Sequence, residues 1–202
     1  MTSAKSFSIP VFCSHEKALG NTGIVGRNKN NNGVRSEAIL SCCTPFDASR
    51  RILSGLKHPS HDVPCVGYRI HTPDGKTMTI ATDLGVLTPP VHEALSGCDL
   101  VALESNYDLH MLRSGPYPYY LRARIESVRG HLSNDECSAK LLELIQSGCK
   151  KFALCHLSQE NNTPSLALQT VFTTLGAAGV VPEKDCIVQA QRRNEVSPAL
   201  TF

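Results

Sequence analysis

From about residue 60 onward, short apolar runs alternate with capped stretches of helical period, and that alternation confines the chain to layered α/β architectures. Residues 63–70 and Thr77–Ala81 are β-rich runs on either side of Thr72-Pro73-Asp74-Gly75-Lys76, whose residues suit a turn, so a hairpin is expected. Thr88-Pro89-Pro90 then starts a helix, with Thr88 at the N-cap and proline in the first turn. Strands are expected at 99–103, Lys151–Cys155 and 185–190. Helices are expected at 107–112, Tyr119–Ile125, Asn134–Gln146 and 164–175. In the longest of these, Asn134 is the expected cap, and Ala139, Leu142 and Ile145 recur at every third position. Upstream, residues 8–13 read as a short strand and 15–19 as the start of a helix. Residues 20–36 hold four Gly and five Asn with little apolar periodicity, which reads as a mobile loop.

A chain of 202 residues suits one domain, taken here as 1–202. The net charge of +2 does not point to a polyanion, and Arg122, Arg124 and Arg129 beside His131 read as a solvated face. Aromatics are only 5% and Trp is absent, which argues against an aromatic binding surface as the main function. The nine Cys are odd in number and form no C-x-x-C pair, so neither a zinc ribbon nor a disulfide framework is expected. Several lie in apolar runs as small buried hydrophobes, which suits a reducing compartment. The opening MTSAKSFSIP has no apolar h-region and no run approaches 18 apolar residues. The expectation is therefore a cytoplasmic protein with no membrane segment, its oligomeric state open.

Chemistry in such folds sits on loops that follow strands. Three potential metal ligands stand at strand ends: His61 before the 63–70 run, Asp83 after Thr77–Ala81, and His156 after Lys151–Cys155. Imidazole nitrogen and carboxylate oxygen suit zinc, manganese or iron, and a carboxylate can bridge two ions roughly 3.5–4 Å apart that activate water and neutralise a phosphoryl oxygen. Each residue alone has an ordinary reading as a turn, cap or hydrogen-bonded structural residue. A serine hydrolase is disfavoured because no G-x-S-x-G is present.

Between residues 100 and 168 the chain contains LESNYD, ML-x-x-GPYP, GHLSN and HLS-x-ENNTP. Upstream come HDVPCVGYRI and ATDLGVLTP, and near the end IVQAQRRNEVSP. In this order the motifs resemble the YycJ/WalJ group of metallo-β-lactamase-fold hydrolases over about residues 60–200, and more loosely over 9–19. The resemblance implies an αββα sandwich, a site for two divalent ions (zinc or manganese), and hydrolysis of a phosphodiester in DNA or RNA. It places metal ligands at His61, Asp83 (bridging) and His156. It pairs Glu104 with His131 for proton transfer, the carboxylate orienting the ring. Asn161 and Asn162 stand where either a substrate contact or a turn is implied.

Two departures qualify that picture. The H-x-H-x-D-H string usual in this fold does not occur, and IPVFCSHEKAL resembles the segment that follows it, so the sandwich is expected to be N-terminally incomplete. Val128 and Arg129 occupy a place where the group commonly has an acidic residue before GHLSN. Two readings follow: a nuclease-type enzyme seen as its C-terminal portion, or a catalytically dead fragment or binding protein that keeps the fold. On either, weak or partial metal binding is expected, as too few ligands remain for a full site.

Overall fold

The structure, a computed structural model, describes residues 56–58, 65–72, 74–193 and 195–202. The expected strand at 8–13, helix at 15–19, loop at 20–36 and ligand His61 lie outside the described residues. Six strands form one sheet in chain order: β1 (Leu56–His58), β2 (Cys65–His71), β3 (Thr77–Ala81), β4 (Leu100–Glu104), β5 (Lys151–Cys155) and β6 (Ile187–Ala190). β1, β2 and β3 pair antiparallel, while β3, β4, β5 and β6 are parallel neighbours. The expected hairpin is the β2–β3 unit, closed by a turn at Gly75 with φ 86°. β1 was not anticipated, because three residues are too few to carry a periodic signal.

Parallel neighbours require crossovers, and here they are helical. α1 (Pro89–Leu95) joins β3 to β4, and α5 (Pro164–Ala177) joins β5 to β6. The β4–β5 connection holds three helices: α2 (Leu109–Ser114), α3 (Tyr119–Ile125) and α4 (Asn134–Gln146). Alternation within the strands divides the core. Val101 and Leu103 of β4 join Phe152 and Leu154 of β5 and Val188 of β6 against Val91, Leu95, Leu141, Leu144, Val171 and Leu175 of the helices. Ala102, Ala153 and Cys155 point to the opposite face, where Ile80 and Leu200 pack on them. Helices α1, α4 and α5 therefore fill one face of the sheet, and small side chains line the other.

Two helix details differ from the sequence expectation. The N-cap of α4 is Ser133: its hydroxyl accepts from the Glu136 amide, and the Glu136 carboxylate accepts from the Ser133 amide. Asn134 is instead the first helical residue, buried and bonded elsewhere. The buried face of α4 also runs through Cys137, Ser138, Lys140, Leu141 and Leu144, and Ala139 is exposed. Lys140 is buried because His92 Nδ1 and Glu143 Oε1 meet its ammonium at 2.8 and 2.7 Å. Apolar spacing alone does not reveal a buried lysine that is met by His92 from another helix as well as by Glu143 on its own. Cys98, Cys137, Cys149, Cys155 and Cys186 are free and buried, as expected for cysteines used as small hydrophobes. No described helix is long and apolar enough to cross a membrane.

Candidate metal centre

In an open α/β sheet, ligands collect beyond the carboxyl ends of the parallel strands. Here Asp83 follows the end of β3 by two residues, β4 ends on Glu104 and His156 follows the end of β5 directly, so three neighbouring strands deliver three ionisable side chains to one edge. His131 arrives at the same place from the loop ahead of α4. The potential ligand atoms of Asp83, His131 and His156 all lie within 4.8 Å of one another. His156 Nε2 stands 3.6 Å from Asp83 Oδ1, and the two imidazole rings are 5.1 Å apart between centroids.

Glu104 sits behind this group and organises it. Its side chain is fully buried, and one oxygen, Oε1, lies 2.8 Å from His131 Nδ1 and 2.6 Å from His156 Nδ1. The other oxygen, Oε2, accepts from the Leu84 amide at 2.6 Å, immediately after Asp83. Burial pushes the Glu104 carboxyl up, but the hydrogen bonds and charges of His131 and His156 prevail and hold it below the usual glutamate range. An ionised carboxylate can only accept, so both Nδ1 atoms carry protons. A ring protonated only at Nδ1 carries its lone pair on Nε2, the tautomer that binds a cation. Exposure rises from Glu104 at 0% through His156 at 8% and His131 at 16% to Asp83 at 32%, which makes Glu104 the floor and Asp83 the mouth.

The backbone is bent to achieve this. Asp83 (φ 59°) and His156 (φ 55°) both adopt the left-handed conformation that disfavours non-glycine residues. A polar network secures the bends. The Asn106 side chain donates to the His156 carbonyl at 2.7 Å, and the Ser158 amide donates to the Asn106 carbonyl at 2.7 Å. The amides of Asn106 and Asn134 bond to the carbonyls of Leu132 and Tyr107, pinning the segment after β4 to the residues after His131. On the outer side Gly85 packs so closely on the 128–130 backbone that a Cβ would lie 2.3 Å from the Val128 carbonyl oxygen.

Glu104 and His131 are in contact, and Asp83 and His156 face each other, but the two pairs form one cluster. His131 stands among the potential ligands. Glu104 touches both rings and is a positioning residue. Its bond to His156, 52 residues away, had no signal in local sequence. Asn162, a position where the resemblance implied either a substrate contact or a turn, has its side chain bonded within the protein. Its amide nitrogen donates to the Ser105 and Asn106 carbonyls and to Asn134 Oδ1, while its oxygen accepts from Thr163 N and Asn134 Nδ2. Asn162 is 4% exposed and Asn161 is 1% exposed, and the Asn161 carbonyl accepts from the Asp108 amide. Both belong to the interior scaffold.

No protein-family model matches the sequence. Over 119 residues, 59% of this chain, it is 34% identical to the exodeoxyribonuclease WalJ of Streptococcus pneumoniae serotype 2 (strain D39). Over 112 residues, 55% of the chain, it is 31% identical to the exodeoxyribonuclease YycJ of Bacillus anthracis. Over somewhat more than half its length the chain is similar to these two proteins, named WalJ and YycJ. It spans less than half the length of these curated relatives, 44% and 42% respectively. Among solved structures, the metallo-β-lactamase fold protein YhfI from Bacillus subtilis aligns with 68% of this chain and 45% of its own, with a TM-score of 0.45 and 18% identity. A diphosphatase of the PhnP family aligns with 70% of this chain and 39% of its own, with a TM-score of 0.39 and 15% identity.

Proposed function

We propose that this chain carries part of the active site of a metal-dependent phosphodiesterase that cuts DNA. The observation that supports it is the convergence of Asp83, His131 and His156 around a buried, ionised Glu104. Two imidazoles and a carboxylate form a donor set that zinc or manganese accepts. Asp83 Oδ1 and the Nε2 atoms of His131 and His156 would hold the ion. Three donors provide for one ion, and a second ion of the pair the resemblance implies needs donors from outside this cluster. Bound there, a divalent ion supplies Lewis-acid stabilisation of phosphoryl charge. The kinship with proteins named exodeoxyribonucleases supports DNA as the substrate.

The protein's own groups prepare this chemistry. Glu104 fixes both rings in one tautomer and one orientation, so no rotational freedom is lost when a ligand arrives. At His131 two roles exclude each other: its single Nε2 lone pair either holds an ion or takes up a proton, giving an imidazolium that the Glu104 carboxylate stabilises.

Titration with manganese or zinc by calorimetry tests the ligand set. Wild type should take up one ion weakly, and Asp83→Ala, His131→Ala and His156→Ala should each abolish the heat. Glu104→Gln, which touches no ion, should weaken affinity by roughly 10–100-fold. Isotherms that Asp83→Ala leaves unchanged would count against the site. Manganese-dependent release of nucleotides from an end-labelled oligonucleotide tests the activity.

A further inference from the structure

The polypeptide between β4 and α4 holds a feature that the metal centre does not use. The chain has five tyrosines, and three of them fall within four residues, at Tyr117, Tyr119 and Tyr120. Tyr119 and Tyr120 open α3 and are 79% and 74% exposed, the highest values among the exposed large hydrophobic side chains described. No residue of α3 is buried, so this helix stands on the surface. Burial of the rings in the core is thus not what places them there. The sparse aromatics of the composition are concentrated at one spot, which a whole-chain percentage conceals.

Charge is concentrated with them. Residues 109–130 hold four arginines (Arg113, Arg122, Arg124 and Arg129) against one acidic residue, Glu126, in a chain whose net charge is only +2. Glu126 is already engaged with Arg113 at 2.9 Å. Arg129 is exposed and lies two residues before His131.

The patch is anchored to the metal centre by backbone. The His131 amide bonds to the Ile125 carbonyl at the end of α3, at 3.0 Å. Gly130 lies so near that a Cβ there would be 2.0 Å from the same carbonyl oxygen. Tyr119 and Tyr120 are one short helix away, roughly 7–9 Å along its axis.

Exposed π-faces beside excess positive charge are what unpaired nucleotides require, since bases stack on aromatic rings while phosphates seek cations. We infer that the start of α3 is a stacking platform for single-stranded DNA, on which Tyr119 and Tyr120 hold bases and Arg129 meets the backbone next to the metal centre. A duplex keeps its bases stacked on one another and offers the rings nothing comparable. The inference deepens the proposed DNA-cutting function and rests on it for the identity of the polymer.

The test is binding of an oligo(dT) strand in EDTA, read by fluorescence anisotropy and by tyrosine emission, which no tryptophan masks in this chain. Wild type should bind with quenching of tyrosine emission. Tyr119→Ala/Tyr120→Ala should lose the quench and bind roughly tenfold or more weakly, with an unchanged melting temperature because both rings are exposed. Tyr119→Phe/Tyr120→Phe keeps the π-faces and should bind like wild type, which separates stacking from hydroxyl hydrogen bonding. Arg129→Ala should lower the slope of log K against log salt by about 0.7. An alanine double variant that binds as tightly as wild type, or a wild type that does not bind the strand, overturns the inference. Tyrosine-dependent binding with no manganese-dependent cleavage sustains the platform and removes the nuclease reading.

Discussion

The two ends of the parallel sheet solve the same turning problem in opposite ways. At the amino ends of the strands the chain turns into β4 and β5 through Gly97 (φ 64°) and Gly148 (φ 103°), residues that take left-handed backbone without strain. At the carboxyl ends it leaves β3 and β5 through Asp83 and His156 in the same conformation. The charges differ likewise. The amino end has a partly exposed Lys76–Asp99 pair at 2.9 Å, and the carboxyl end has a fully buried glutamate shared by two imidazoles. One end is built for ease of folding. The other retains left-handed non-glycine residues and a buried charge where side chains must converge, the usual mark of a site.

The largest expected break in this contrast is Glu104→Ala. It leaves the Leu84 amide and two imidazole N–H groups without their acceptor in the interior, and should cost about 3 kcal/mol or more. Urea unfolding of the metal-free protein measures it, and a loss under 1 kcal/mol would mean that Glu104 does not organise the cluster. Next come the glycines. A Cβ at Gly97 or Gly148 meets nothing within 4 Å, so Gly97→Ala and Gly148→Ala should each destabilise by about 1 kcal/mol, through backbone conformation alone. The reverse substitution, Asp83→Gly, should leave metal-free stability equal or raise it by about 0.5 kcal/mol while removing metal uptake. A clear fall in melting temperature would show that the bend at Asp83 is not strained.

The smallest effect belongs to Asp99. Burial pushes its carboxyl up, but the Lys76 ammonium and the Thr77 amide outweigh this and hold it below the usual aspartate range. A carboxyl lowered by folding adds stability above its unfolded pKa, and that stability is lost as pH falls through the folded value. Asp99→Asn should therefore cost about 0.5 kcal/mol or less at neutral pH, and the difference from wild type should vanish in acid below roughly pH 3. Chemical denaturation at several pH values checks this, and a gap that persists in acid would assign the effect to packing.

Much of the scaffold was legible because it rests on local chemistry. The Thr77–Ala81 and Lys151–Cys155 runs, the turn before the first and the proline start of α1 all declare themselves within a few residues. The cap of α4 was misread by one position because Ser133 and Asn134 are both good caps, and only the reciprocal bond with Glu136 decides between them. At the site, resemblance singled out the side chains that meet, but not how they meet. That Glu104 serves two rings, and that Asn162 is consumed by the interior, follow from contacts across 52 and 57 residues. No spacing rule encodes such contacts. The exposure of Tyr119 and Tyr120 was hidden for a different reason, since α3 turns no face to the core and composition averages over position.

The parallel register has a consequence for vectorial synthesis. Asp83, Glu104, His131 and His156 emerge in that order, and strand β5 cannot zip onto β4 until the whole connection through α4 has been made. Closing so wide a loop is slow, and the last imidazole arrives only with the final residue of that zipper. A nascent chain halted before residue 156 would therefore present isolated acids and rings but no cage, so its grip on a cation is withheld until the strand carrying the last donor has seated.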